Sequence, residues 1–115
     1  MTREIKFRAW DKKENKFEGH FQIAPNGVLA MFDPMTASWG KAEEDRFIVM
    51  QYTGLKDKNG KEIYEGDIID DEGARQKYEV IFHNGCFCIS RGPGYHIFNE
   101  KKVEIIGNIY EHPNY

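Results

Sequence analysis

Apolar residues recur at every second position along most of this chain, in short runs that end at turn-forming residues. In "REIKFRAW", Ile5, Phe7 and Ala9 fall on one side of an extended backbone, and Glu4, Lys6 and Arg8 on the other. Successive side chains of a strand point to opposite faces, so this pattern predicts a half-buried strand. "KFEGHFQIA" repeats it, with Phe17, Gly19, Phe21 and Ile23 on the inward side. The two runs form a hairpin across "DKKEN", where Asn15 suits a left-handed conformation. "PNG" at 25–27 is a second turn, followed by the short strand "VLAMF". "RFIVMQY" at 46–52 is apolar on both faces, as expected of a strand covered on both sides. "IYEGDIID", "KYEVIFH", "CFCIS" and "KKVEIIGNIYEHP" complete the series, with Asn59-Gly60 and Asn84-Gly85 at intervening turns. Gly66 and Gly107 lie inside strand-like runs, where glycine marks a bulge or a sharp bend. Residues 33–45, "DPMTASWGKAEED", break the alternation; Asp33-Pro34 can open a loop or a single short helix.

Short strands with turn signals every ~8–12 residues predict an all-β fold rather than alternating strands and helices. We expect a small curved SH3-like barrel over residues 46–115. Residues 1–45 should form an N-terminal β-hairpin extension carrying the variable loop or short helix. The aromatic content of 14% lets a small core bury much apolar area. No apolar run approaches the ~20 residues that cross a bilayer, so no membrane association is expected. The charged, alternating start has no signal-peptide core, and a cytoplasmic setting is the expectation.

Residues 62–72 concentrate the carboxylates Glu62, Glu65, Asp67, Asp70, Asp71 and Glu72. Paired carboxylates bind divalent cations or act as acid and base. A metal-dependent enzyme using this cluster is therefore one reading. The other is solvated turn residues beside a bent strand, with Asp67 capping local amides. His83, Cys86 and Cys88 have zinc-ligand chemistry, but the spacing is not diagnostic and no second cysteine pair exists. Reduced thiols in a hairpin are the better reading. No Gly-x-Ser-x-Gly elbow and no phosphate-binding loop is present. No catalytic residue and no cofactor is expected.

Charge is unevenly spread. Residues 1–16 carry six basic and three acidic side chains in a chain of net charge −3. Arg3, Lys6, Arg8, Trp10, Lys12 and Lys13 could together track a phosphate backbone and stack a base, so nucleic acid is a possible partner. A solvated or subunit-facing strand gives the same pattern. Trp10, Phe32, Met35 and Trp39 offer an apolar surface for assembly, and a homo-oligomer formed through the N-terminal half is the leading expectation.

"REIKFRAWD", "VMQYTGLKDKNGKEIYEGDII", "YEVIFHNGCF" and "VEIIGNIYEHP" together resemble the YopX family of phage and prophage proteins. The resemblance spans residues 3–17, 47–71, 77–89 and 103–113, and leaves 24–45 and 90–101 unmatched. It implies a mostly β fold, a phage or prophage origin, a bacterial cytoplasmic setting and phage or host proteins as partners. It brings no catalytic residues. A non-enzymatic binding or assembly module is the function expected, with nucleic-acid binding through the basic face as the alternative.

Overall fold

The computed structural model describes residues 4–43, 45–71, 76–83, 85–91, 94–96 and 102–112. They form twelve strands and, among the described residues, no helix. In chain order these are β1 (Phe7–Asp11), β2 (Lys16–Glu18), β3 (Phe21–Ile23), β4 (Leu29–Asp33), β5 (Ser38–Lys41), β6 (Phe47–Lys56), β7 (Glu62–Tyr64), β8 (Asp67–Asp71), β9 (Gln76–His83), β10 (Cys86–Arg91), β11 (Gly94–His96) and β12 (Val103–Asn108). The all-β reading of the alternation holds. The chain divides into two compact units, Arg8–Val49 and Met1–Phe7 with Met50–Tyr115. The division falls at 49/50, four residues past the 45/46 boundary read from the sequence, and residues 1–7 go with the later unit.

In the larger unit, β8 to β12 make one antiparallel sheet in the order β11-β10-β9-β8-β12, curled into a half-barrel. Its core is Ile63, Ile69, Tyr78, Val80, Ile89 and Val103, with Leu55 and Ile105 packed against it. Two glycines shape the path, as their placement in the sequence anticipated. The β8–β12 register slips between Ile105 and Gly107, a bulge at which a Cβ on Gly107 would overlap the His112 ring. Gly66 sits in the turn between β7 and β8 at φ 87°. Its N–H donates to the Val80 carbonyl and its carbonyl accepts from the Ile109 N–H.

A Cβ at Gly66 would also lie 2.8 Å from the Met50 sulfur. That thioether can move, but the left-handed backbone costs any other residue about 1–2 kcal/mol. Gly66→Ala should therefore lower the unfolding free energy by about 1–2 kcal/mol, read as a reduced urea midpoint at unchanged slope. An unchanged midpoint would show that the turn accepts a side chain.

In the Arg8–Val49 unit, β1 and β2 pair as the expected hairpin, Trp10 opposite Phe17, with Asn15 left-handed at φ 55°. Burial along the first strand changes with position rather than with face: Ile5 is 62% and Phe7 41% exposed, whereas Ala9, on the expected inward side, and Trp10, on the other, are 0% and 3% exposed. Trp10 meets Phe17 edge-on at 4.9 Å, and the Arg8 guanidinium covers the Phe17 ring at 4.7 Å. Both sides are covered at the end of the strand, and of the two buried residues the indole removes the larger apolar area from water.

The "KFEGHFQIA" run is two strands, β2 and β3, broken at Gly19-His20. The described residues of 33–45 hold neither a helix nor a plain loop but the end of a hairpin. The Asp33 carboxylate accepts the Met35 N–H, and Ala37 turns left-handed at φ 53°. These two features send β5 back along β4. The result is a three-stranded sheet in the order β3-β4-β5.

Candidate functional site

Among the described residues, the acidic run does not converge. Glu62 accepts from Lys6 Nζ at 2.6 Å, and Glu65 Oε1 accepts the Gln51 N–H. Asp67 is 2% exposed and Oδ2 accepts the Tyr64 N–H, the local capping role read for it. Asp70 and Asp71 lie in β8, opposite Lys77 and Gln76 of β9. Glu72 lies outside the described residues. Glu62 is thus committed to a cation, and Glu65 and Asp67 to the backbone.

His83 and Cys86 do face each other across the β9–β10 hairpin, where the Cys86 thiol donates to the His83 carbonyl at 3.4 Å. Cys86 is exposed; Cys88 is buried, and burial pushes its thiol pKa up. Among the described residues, no three His, Cys, Asp or Glu side chains gather as a metal ion requires.

The basic face is divided. The Lys6 ammonium lies between Glu62 and Glu4, over the Tyr52 ring at 5.7 Å; the Glu62 bond, ahead of the Glu4 bond, holds its pKa up. Arg8 is stacked on Phe17, and the Trp10 ring is buried where no base could stack on it. Lys12 and Lys13 are exposed in the β1–β2 turn. Arg3 lies outside the described residues. The structure thus keeps the lysines of the turn accessible and withdraws the aromatic that a stacking site needs.

Phe32, Met35 and Trp39 remain, and the β4–β5 hairpin brings all three together. Phe32 and Trp39 are cross-strand partners with rings 5.3 Å apart. Met35, at the hairpin tip, is 91% exposed and Trp39 45%. Residues directly opposite in an antiparallel pair share a face. One face therefore carries Ala30, Phe32, Trp39 and Lys41, and the other Phe21, Ile23, Leu29 and Met31.

Both faces are apolar, yet no residue of this sheet is buried, and all four residues of β5 are exposed. A cleft of about 460 Å³ opens beside it, lined by Met31, Phe32, Lys41, Arg46 and Phe47 among others. One sequence signal marks this surface: residues 19–40 carry a single formal charge, Asp33, in a chain that is 30% charged.

Two buried carboxylates escaped the sequence reading. Asp11, 1% exposed, accepts from Arg46 Nε and Nη2 at 3.0 and 2.9 Å and from the Lys13 and Glu14 N–H groups. The Arg46 contact above all, against the opposing pull of burial, holds its pKa at about 2. Asp57, 6% exposed, accepts three backbone N–H groups, from Asn59, Lys61 and Ile105. Burial raises its carboxyl, but these donors outweigh it and the net pKa is lowered.

A sequence model described as YopX protein matches residues 6–115. Protein EF1440 from Enterococcus faecalis has a crystal structure similar to this chain, with a TM-score of 0.73 at 26% identity over 98% of each chain. YopX from Bacillus subtilis is similar in fold, with a TM-score of 0.63 at 20% identity, again over 98% of each. A search of curated proteins returned no match. No helix among the described residues is long and apolar enough to cross a membrane.

Proposed function

The chain belongs to the YopX family, and from that premise we propose that it is a non-enzymatic assembly module that self-associates through the β3-β4-β5 sheet. The observation that carries this is a sheet with apolar residues on both faces and no buried residue. Apolar area left in water is area that association can cover, at ~25 cal/mol per Å². The near-absence of charge between residues 19 and 40 fits the same use, because interface centres are depleted of charged residues. The Phe32–Trp39 pair with Met35 supplies the large side chains that dominate such contacts. A phage or prophage setting, in a bacterial cytoplasm, is part of the same proposal and rests on the family resemblance.

Light scattering of the full chain at micromolar concentration should give the mass of a dimer or larger assembly. Met35→Lys combined with Trp39→Lys should weaken association at least about tenfold, since buried charge without a partner is costly. A wild-type protein that remains monomeric throughout the micromolar range would remove the proposal.

A further inference from the structure

We infer that two copies of the chain pair edge to edge through β5, antiparallel, with Trp39 of each copy opposite Lys41 of the other. The inference rests on the sheet being the assembly surface and adds how it is used. β5 is the outer strand of its sheet, and all four of its residues are exposed. The other outer strand, β3, has two of three residues half-buried.

The hydrogen-bond phase of β5 follows from its partner. Ala42 donates its N–H to the Leu29 carbonyl, and Lys41 lies opposite Ala30. In an antiparallel ladder the bonded rows alternate, so Ser38, Gly40 and Ala42 turn their N–H and C=O groups toward β4. Trp39 and Lys41 turn theirs to the open edge. An exposed edge is a template for another strand.

A two-fold axis between identical antiparallel strands keeps each face on one side, so only residues of equal parity can stand opposite. Centring the axis on Gly40 places Trp39 opposite the second copy's Lys41, and the reverse. Every outward N–H and C=O of these two residues then has a partner. Lysine at an edge ordinarily discourages pairing. In this register it meets an aromatic ring instead of another lysine, on the face that already holds Phe32, which favours the cation by cation–π attraction. Gly40 meets Gly40 of the second copy in the narrow non-bonded row, where Cα atoms stand about 4.5 Å apart and no side chain obstructs approach.

That narrow row provides the test. A Cβ at Gly40 meets nothing within 4 Å, so cysteine is accommodated there. The Cα separation of the row lies in the range a disulfide spans, ~4.4–6.8 Å. Gly40→Cys, made in full-length protein with Cys86→Ser to remove the exposed thiol, should give a covalent dimer on mild oxidation. Ser38→Cys in the same background stands opposite Ala42 of the second copy and should not. Lys41→Pro removes an edge-facing donor without touching the β4 ladder, and should weaken association at least tenfold by light scattering. Assembly that persists with no Gly40→Cys cross-link would overturn edge pairing while leaving the assembly proposal standing. Equal cross-linking at positions 38 and 40 would overturn the register. A monomeric wild type would overturn both proposals.

Discussion

Replacing Asp57 by alanine should cost about 3 kcal/mol of unfolding free energy, a loss comparable to truncating a core side chain of the half-barrel unit. The carboxylate is nearly sealed from water, and its two oxygens hold three backbone N–H groups at 2.9–3.0 Å. Hydrogen bonds to a charged acceptor contribute about 1.5–3 kcal/mol each, and a buried donor left without a partner costs a further share. Water can reach the Asn59 and Lys61 amides, whose residues are exposed, which keeps the loss well below the sum of three bonds. The Ile105 amide is the critical one. It lies 48 residues away on β12, so the Asp57 side chain ties the 57–61 turn to that strand, beside the Lys58 N–H to Val103 carbonyl bond. Asp57→Asn keeps the shape and one acceptor oxygen and should cost about half as much. Urea denaturation of the three proteins checks the ranking. Equal stability of Asp57→Ala and wild type would show that solvent satisfies all three amides.

Asp57 also shows where the local pattern stops being informative. In the sequence it heads "DKNG", and Asn59-Gly60 looks sufficient to set the turn. In the structure only Gly60 of that pair takes positive φ, and the carboxylate organises the rest. Its burial depends on a strand far along the chain, which no window around position 57 contains. Asp11 is the same case, with its partner Arg46 35 residues on.

The faces of the first strand illustrate a second limit. A period of two establishes which residues share a side, and Arg8, Trp10 and Phe17 do share one. It does not say where along the strand each side is covered: Ala9 and Trp10 are buried on opposite sides, and Ile5 and Phe7 are not. Where chemistry is local, the reading transfers well: left-handed Asn15 and the Asp67 cap depend on neighbours within a few residues. Residues 33–45 fell between the two. Asp33-Pro34 is compatible with a helix start, and the choice of a hairpin rests on a left-handed Ala37 that no residue preference announces. Of the four apolar residues nominated for assembly, three meet on one hairpin because β4 and β5 pair; Trp10 is instead consumed by the fold.

Lowering the pH from about 4 to about 2 should remove about 2 kcal/mol from the stability of the Arg8–Val49 unit, and Arg46→Ala should abolish most of that pH dependence. Asp11 is held at about 2 against an ordinary 3.8, first by Arg46 and then by the Lys13 and Glu14 amides, with burial opposing. A carboxyl whose pKa is lower in the folded than in the unfolded chain stabilises the fold at every pH above its unfolded value. That contribution disappears as pH falls through the folded value, which sets the window. At about 1.36 kcal/mol per unit, the shift amounts to about 2 kcal/mol, and with the side chain 2% exposed solvent screening is slight.

The unit has little else in reserve. Between residues 8 and 49 only Ala9, Trp10 and Asp11 are buried among the described residues. Removing one partner of a buried pair costs about 3–5 kcal/mol because the other charge stays behind. Arg46 is itself 25% exposed, which places Arg46→Ala near the lower end, about 3 kcal/mol at pH 7. Without the guanidinium, burial should carry the Asp11 carboxyl upward, so the remaining stability changes less on acidification from pH 4 to 2 than in wild type. Amide hydrogen exchange across residues 8–49, followed at pH 7 and in acid, reads both effects. Protection that is indifferent to Arg46→Ala would mean that the Lys13 and Glu14 amides, not the salt bridge, secure Asp11.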